Sequence, residues 1–183
     1  MSGMFPGTTI EASRLRKGSS RLLFDGIFAA GGITLSQVSV MTGLEPYMIQ
    51  NWVKRGFLSP PVQKQYSKRQ FCRIAIINML REALQIEKIT GLLSYINGRL
   101  DDESDDIIDD AVLYFMFVKL AARARHIGGD QSWEIALEES TANYHEPFAG
   151  ARDRVIRVLR VMLTAWICSR FKAQVDQMVD ALQ

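Results

Sequence analysis

The stretch over residues 43–61, "GLEPYMIQNWVKRGFLSPP", decides how the chain is read. Pro46 suits the first position of a helix, where its missing N–H costs nothing. Glu45 ahead of it sets a negative charge at the positive helix end. On a helix over 46–55, Ile49, Trp52, Val53 and Gly56 fall on an apolar face, and Trp52 is expected in the core. Tyr47, Gln50, Asn51 and Lys54 fall at i, i+3, i+4 and i+7, which makes one polar face. A merely solvated face would mix Glu with Lys. This one holds a phenol, two amides and a cation, and no carboxylate beyond Glu45 at its start. Amides pair with base edges and cations neutralise phosphates, so the face suits duplex nucleic acid.

The flanks agree. Upstream, Thr34 and Gln37 form a capping box, "TLSQ", for a helix presenting Leu35, Val38 and Met41 and ending near Gly43. Two short helices joined by a tight Gly-containing turn are a helix-turn-helix candidate. Downstream, "FLSPPVQKQY" is too proline-rich for helix and fits a short extended wing. Ser67 and Gln70 make a second capping box, "SKRQ", opening a helix with Phe71, Ile74, Ile77 and Leu80 or Met79 inward. "IEKITGLLSYI" reads as one more short helix. The expected DNA contacts are Gln37, Tyr47, Gln50, Asn51, Lys54 and Arg55 on the two helices. Lys64, Tyr66, Lys68 and Arg69 join them on the wing and the helix that follows.

In order along the chain, "ITLSQVSVMTGLEPYMIQNWVKRGFLSPP" resembles the N-terminal winged helix-turn-helix of the MerR family of bacterial regulators. Thr42-Gly43, Pro46, Trp52, Gly56-Phe57-Leu58 and Pro60-Pro61 fill the places of that pattern. Tyr66-Ser67, the helix from Lys68, and Glu87 to Leu93 continue it. The resemblance covers about residues 33–97 and implies duplex-DNA binding and transcriptional regulation. "VQKQY" is shorter than the family's usual wing, and no dimerising coiled coil follows directly. The remainder resembles an uncharacterised group of bacterial proteins with a MerR-like head and an all-helical tail.

Charge divides the chain in the same place. Residues 1–99 carry 13 Lys+Arg against 5 Asp+Glu, and residues 100–183 carry 9 against 15. A net of +8 facing −6 suggests a basic half for a polyanion. "DDESDDIIDD" has seven carboxylates in ten residues. Acids that precede and begin a helix cap it and complement its dipole, whereas an oxygen-ligand cation site needs a looping backbone with a glycine turn.

Past that segment the pattern stays helical, from about 104 to 126, from 130 or 132 to near 144, and from 151 onward. "AVLYFMFVKLAA" is apolar nearly all round and belongs at the centre of a bundle. Phe171, Val175, Met178 and Leu182 follow 4, 3, 4 spacing, a coiled-coil seam that predicts a homodimer unless one chain buries it. Tyr114, Phe115, Met116, Phe117, Trp133, Met162 and Trp166 are core residues or the lining of a small-molecule effector pocket.

The expected organisation is all-α: a flexible arm over 1–18, a winged helix-turn-helix head over 19–98, and a helical bundle over 99–183. With 48% apolar and 23% charged residues the composition is that of a globular protein. The longest apolar runs, 111–118 and 161–168, are about half a membrane span. Cys72 and Cys168 show no metal or disulfide spacing, so free thiols in a cytoplasmic protein are expected. His126 and His145 have no nucleophile at suggestive spacing and no phosphate loop occurs, so neither an enzyme nor a cofactor is predicted. The competing class is a protein-interaction adaptor using the basic head or the acidic tail.

Overall fold

The computed structural model describes residues 3–12, 19–100, 102–124 and 130–182. Over these residues the chain is mostly helical. The order is α1 (Ser20–Ile27), β1 (Ile33–Thr34), α2 (Leu35–Thr42), α3 (Pro46–Lys54), β2 (Gln65–Tyr66), α4 (Lys68–Leu80), α5 (Ile86–Asn97), α6 (Asp110–Ala124), α7 (Asp130–Ser140) and α8 (Ala151–Asp180). Residues 13–18, Asp101 and His126 lie outside the described residues, as does the expected end of the 104–126 helix.

Local sequence sets the breaks. Both capping boxes form: Thr34 accepts from the backbone of Gln37 and Ser67 from that of Gln70, and each glutamine side chain returns to its cap's backbone. Gly43 ends α2 in the left-handed region at φ 70°, and Pro46 opens α3 three residues on. The expected helix from about 104 starts at Asp110 instead. Asp109 is the reason, because its Oδ1 accepts from the N–H groups of Ala111 and Val112 at 2.8 and 3.1 Å.

α4 is the axis of the fold. Nine of its thirteen residues are buried, and it touches α1, α2, α5, α6 and α8. The described buried apolar side chains form one cluster running from Phe5 to Trp166, so the core does not divide at residue 98. Phe24 of α1 sits within it, its ring 5.2–6.0 Å from those of Phe5, Phe71, Tyr114 and Phe115. Phe117 meets Trp166 edge to face. The aromatics of α6 therefore fill the core against one another.

The N-terminal segment differs from the flexible arm expected of it. Residues 3–12 fold back as a closed turn, with a bridge between Met4 and Glu11. Phe5 is buried in the core, and the Pro6 carbonyl accepts from the Tyr114 hydroxyl at 2.8 Å. Asn78 donates to the Gly7 carbonyl at 3.0 Å. Thr9 adds two more, donating from its N–H to the Met41 carbonyl and from its hydroxyl to that of Val40. One buried ring and four long-range hydrogen bonds therefore offset the ordering cost that the segment's Gly-Pro-Ser composition implied.

α8 changes character along its length. Its first half buries Val155, Val158, Leu159, Met162, Leu163 and Trp166. From Arg170 to Leu182 every residue is exposed.

Gly7 and Gly56 both take a left-handed φ, at 71° and 73°, and Gly7 adds a close approach to it. A Cβ on Gly7 would stand 2.0 Å from the Ala75 carbonyl oxygen, whereas one on Gly56 meets nothing within 4 Å. Gly7→Ala should cost ~2 kcal/mol or more by overpacking. Gly56→Ala should cost only the left-handed penalty of ~1 kcal/mol. Urea unfolding midpoints of the two variants check the order.

Candidate nucleic-acid interface

α3 is held by its apolar face and its ends. Ile49 is fully buried and Trp52 nearly so. The Lys54-Arg55-Gly56 turn is a Schellman motif: the Phe57 N–H donates to the Trp52 carbonyl at 2.9 Å and the Gly56 N–H to Val53 at 3.1 Å. Gly56 takes φ 73°, which explains the glycine. Fixed in this way, α3 turns Tyr47, Gln50, Asn51 and Lys54 to solvent together, with Tyr47 68% exposed. Among the described residues none of these four side chains bonds to another.

Beside α3 the chain makes a small antiparallel ladder. Ile33 pairs with Tyr66 and Thr34 with Gln65, and Val62 bridges Gln65 across a tight turn. Gln63 and Lys64 occupy the tip at φ 49° and 63°, the two positive values of a type I′ turn. Lys64 is exposed there. Gln70 ties the turn's base down, its amide donating to the carbonyls of Ser59 and Pro60 at 3.0 Å.

The other expected contacts are placed differently. Tyr66 is buried, 3% exposed, because its strand position faces the core under Ile33; it cannot reach a ligand from there. Burial also pushes its hydroxyl pKa up. Gln37 lies on the surface but spends its amide oxygen on the Thr34 backbone. Arg55 stacks on Phe57 at 4.5 Å and pairs with Glu87 at 2.7 Å. Lys68 pairs with Asp25 at 2.6 Å.

Arg69 is drawn inward. It binds Asp106 and lies 3.8 and 3.9 Å from carboxylate oxygens of Asp109 and Asp110. One helical turn on, Arg73 is buried, donating to the Phe57 carbonyl at 3.1 Å and to Asp110 at 3.2 Å. Asn97 donates to the other oxygen of Asp110 at 3.1 Å. The acidic segment therefore closes on the basic face of α4, besides capping α6. Burial lifts the Asp110 pKa above the ordinary aspartate range, with Arg73 opposing it, and burial likewise lifts Asp106 against Arg69. The pattern Arg69, Arg73 at i, i+4 opposite a run of seven acids was the available signal for this contact. An open cleft of about 480 Å³ lies alongside, between the 59–67 segment, Arg69, Arg73 and Leu100. Among the described residues no group of His, Cys, Asp and Glu is arranged to hold a metal ion.

Arg73→Met should cost about 3 kcal/mol at neutral pH, because it leaves a buried carboxylate without its cation. With Arg73 gone the native pKa of Asp110 rises further, so the folded chain holds that proton more tightly than the unfolded one. Stability is then lowest above the native value and returns as pH falls through it toward the ordinary aspartate range. Urea titrations at several pH values should show this recovery in Arg73→Met and much less of it in the parent.

Residues 29–117 match the family described as "Domain of unknown function (DUF1836)". Over 86 residues the chain is 30% identical to "Uncharacterized protein YkrK" of Bacillus subtilis (strain 168), covering 45% of this chain and 37% of that protein. The chain thus spans little more than a third of the length of the curated relative it matches. No solved structure matches. The matched segment runs from before β1 through α2, α3, α4 and α5 and into α6, so across its candidate interface the chain is similar to an uncharacterised family.

Proposed function

We propose that the chain binds duplex DNA sequence-specifically and regulates transcription, through a MerR-like winged helix-turn-helix made of α2, α3 and the 62–65 turn. The observation that carries this is the exposed, carboxylate-free face of α3, with four polar side chains unspent on internal bonds. α3 enters the major groove with Gln50 and Asn51 at base edges and Tyr47 and Lys54 at bases or phosphates. Lys64 at the turn tip meets the backbone. Arg55 and Lys68 sit in exposed ion pairs worth little, which a phosphate displaces at small cost. Arg69 and Tyr66 take no part. Two copies present two heads to a palindromic site. A small-molecule effector would enter the open cleft beside Arg69, since the bundle aromatics pack on one another. Such a regulator works in the cytoplasm.

An adaptor role draws support from one observation, the acidic segment already seated on Arg69 and Arg73. A chain whose basic surface takes carboxylates from itself could take them from a partner protein. Such an adaptor would bind no DNA.

Fluorescence anisotropy decides between them, with the DNA upstream of the chain's own gene and a scrambled duplex over a salt series. Specific binding should outlast the scramble as salt rises. Gln50→Ala with Asn51→Ala should cut discrimination by about tenfold or more, at roughly 1–3 kcal/mol per bidentate contact. Lys54→Ala or Lys64→Ala should weaken both duplexes alike and reduce the salt slope by about one. Discrimination that survives the double change intact places the reading face elsewhere. No binding at low salt rejects DNA as the ligand.

A further inference from the structure

The exposed side of α8 carries an unbroken stripe. Val161, Thr164 and Cys168 are exposed along the half of the helix that packs on the body, and Phe171, Val175, Met178 and Leu182 continue the line beyond it. The spacing is 3, 4, 3, 4, 3, 4 without interruption. None of the seven carries a charge. Phe171 is 64% and Leu182 86% exposed. Arg157, the next position upstream, ends the stripe with a cation.

We infer that a second copy of this chain covers the stripe, the two α8 helices pairing as a parallel, in-register coiled coil. A strict 3.5-residue period is the repeat that keeps one face of a helix against a like helix along a left-handed supercoil. From Arg170 onward the helix has no support from the body. A helical end of about a dozen residues is marginal alone in water, so the segment gains most from a partner helix. Charge favours a like one. Arg170 and Lys172 balance Asp176 and Asp180, and Lys172 pairs with Asp176 on its own helix at 2.9 Å. Two such tails therefore approach without net repulsion, whereas a strongly acidic or basic partner finds no matching field. The parallel register sets all seven positions against themselves, with Val161 and Val175 on the sites where β-branched residues favour two strands. Antiparallel pairing would match six positions and leave Val161 uncovered. The pairing supplies the two heads of the proposed DNA complex but is read from α8 alone.

The test uses the full chain without DNA. Sedimentation equilibrium should give twice the 20.7 kDa chain mass. Phe171→Glu with Met178→Glu, both exposed, should return the monomer while the body's melting temperature stays. A monomeric parent, or a dimer that persists in the double variant, overturns the pairing. Cys168 fixes the register. Cys72 is buried and its thiol pKa is raised far above the usual range by burial, Asp109 and Asp110 adding to it, so Cys168 is the reactive thiol. A short bismaleimide should join two chains in high yield, and Cys168→Ser should abolish the product. A dimer that fails to cross-link overturns the parallel register, because antiparallel pairing sets Cys168 against Met178. Specific DNA binding by a monomer would sink this pairing alone, and a cross-linked dimer that ignores DNA would sink the proposed function alone.

Discussion

Arg73 and Asp110 form the contact on which the rest of the fold depends. α4 is packed between other helices, and at Arg73 its charge is taken out of water. A guanidinium in that position is tolerable only with a carboxylate and a carbonyl waiting for it. Asp110 supplies the first and Phe57 the second, and Asn97 takes the remaining oxygen of Asp110. Three separate pieces are thereby tied to α4: the segment after α3, the end of α5 and the start of α6. Buried pairs of this kind add little net stability, but they penalise every other arrangement. Sliding α6 by one turn would strand a cation and an anion together in the core.

This contact also reinterprets the division of charge along the sequence. A net of +8 facing −6 suggested a basic half held out for a polyanion. Much of it is instead settled internally. Arg69 and Arg73 meet the acids of 106–110, Lys68 meets Asp25 and Arg55 meets Glu87. On and beside α3, what remains unsettled among the described residues is narrower: Lys54 and Lys64, and the amides and phenol of α3. A face left with amides and few cations discriminates more than it attracts, because amides read base edges while cations supply sequence-independent affinity.

The parts of the fold that were legible share one property, that their cause lies within five residues. The two capping boxes, Pro46 at the start of α3 and Gly56 at its end are local hydrogen-bond problems with local solutions. The face of α3 was legible for the same reason, since helical spacing alone puts Tyr47, Gln50, Asn51 and Lys54 together. What was not legible depended on distance along the chain. Tyr66 looks like a wing residue until the ladder with Ile33 fixes which way its strand faces. Residues 3–12 look like a loose arm until Tyr114, over a hundred residues away, offers a hydroxyl to Pro6. The acids of 102–110 read correctly as caps for α6, through Asp109, but their second partner lies on α4.

α8 carries the contrast between local and distant causes within one helix. Its 30 residues would run ~45 Å at ~1.5 Å per residue. The first half has two kinds of neighbour, since the core lies on one side and solvent on the other. Its apolar residues are correspondingly of two kinds, with Val155, Leu159, Met162 and Trp166 inward and Val161 outward. The second half has no core beside it, yet its large apolar residues fall on the outward stripe, with Val179 alone flanking it. Had this end been an unselective extension, its apolar residues would follow the inward line from Trp166 as often as the outward one. Instead the inward line gives way past Ile167 to Arg170, Ala173, Gln174 and Gln177, while the outward line gains Phe171, Val175, Met178 and Leu182. The sequence stops providing for the body where the body ends, and goes on providing for the other side.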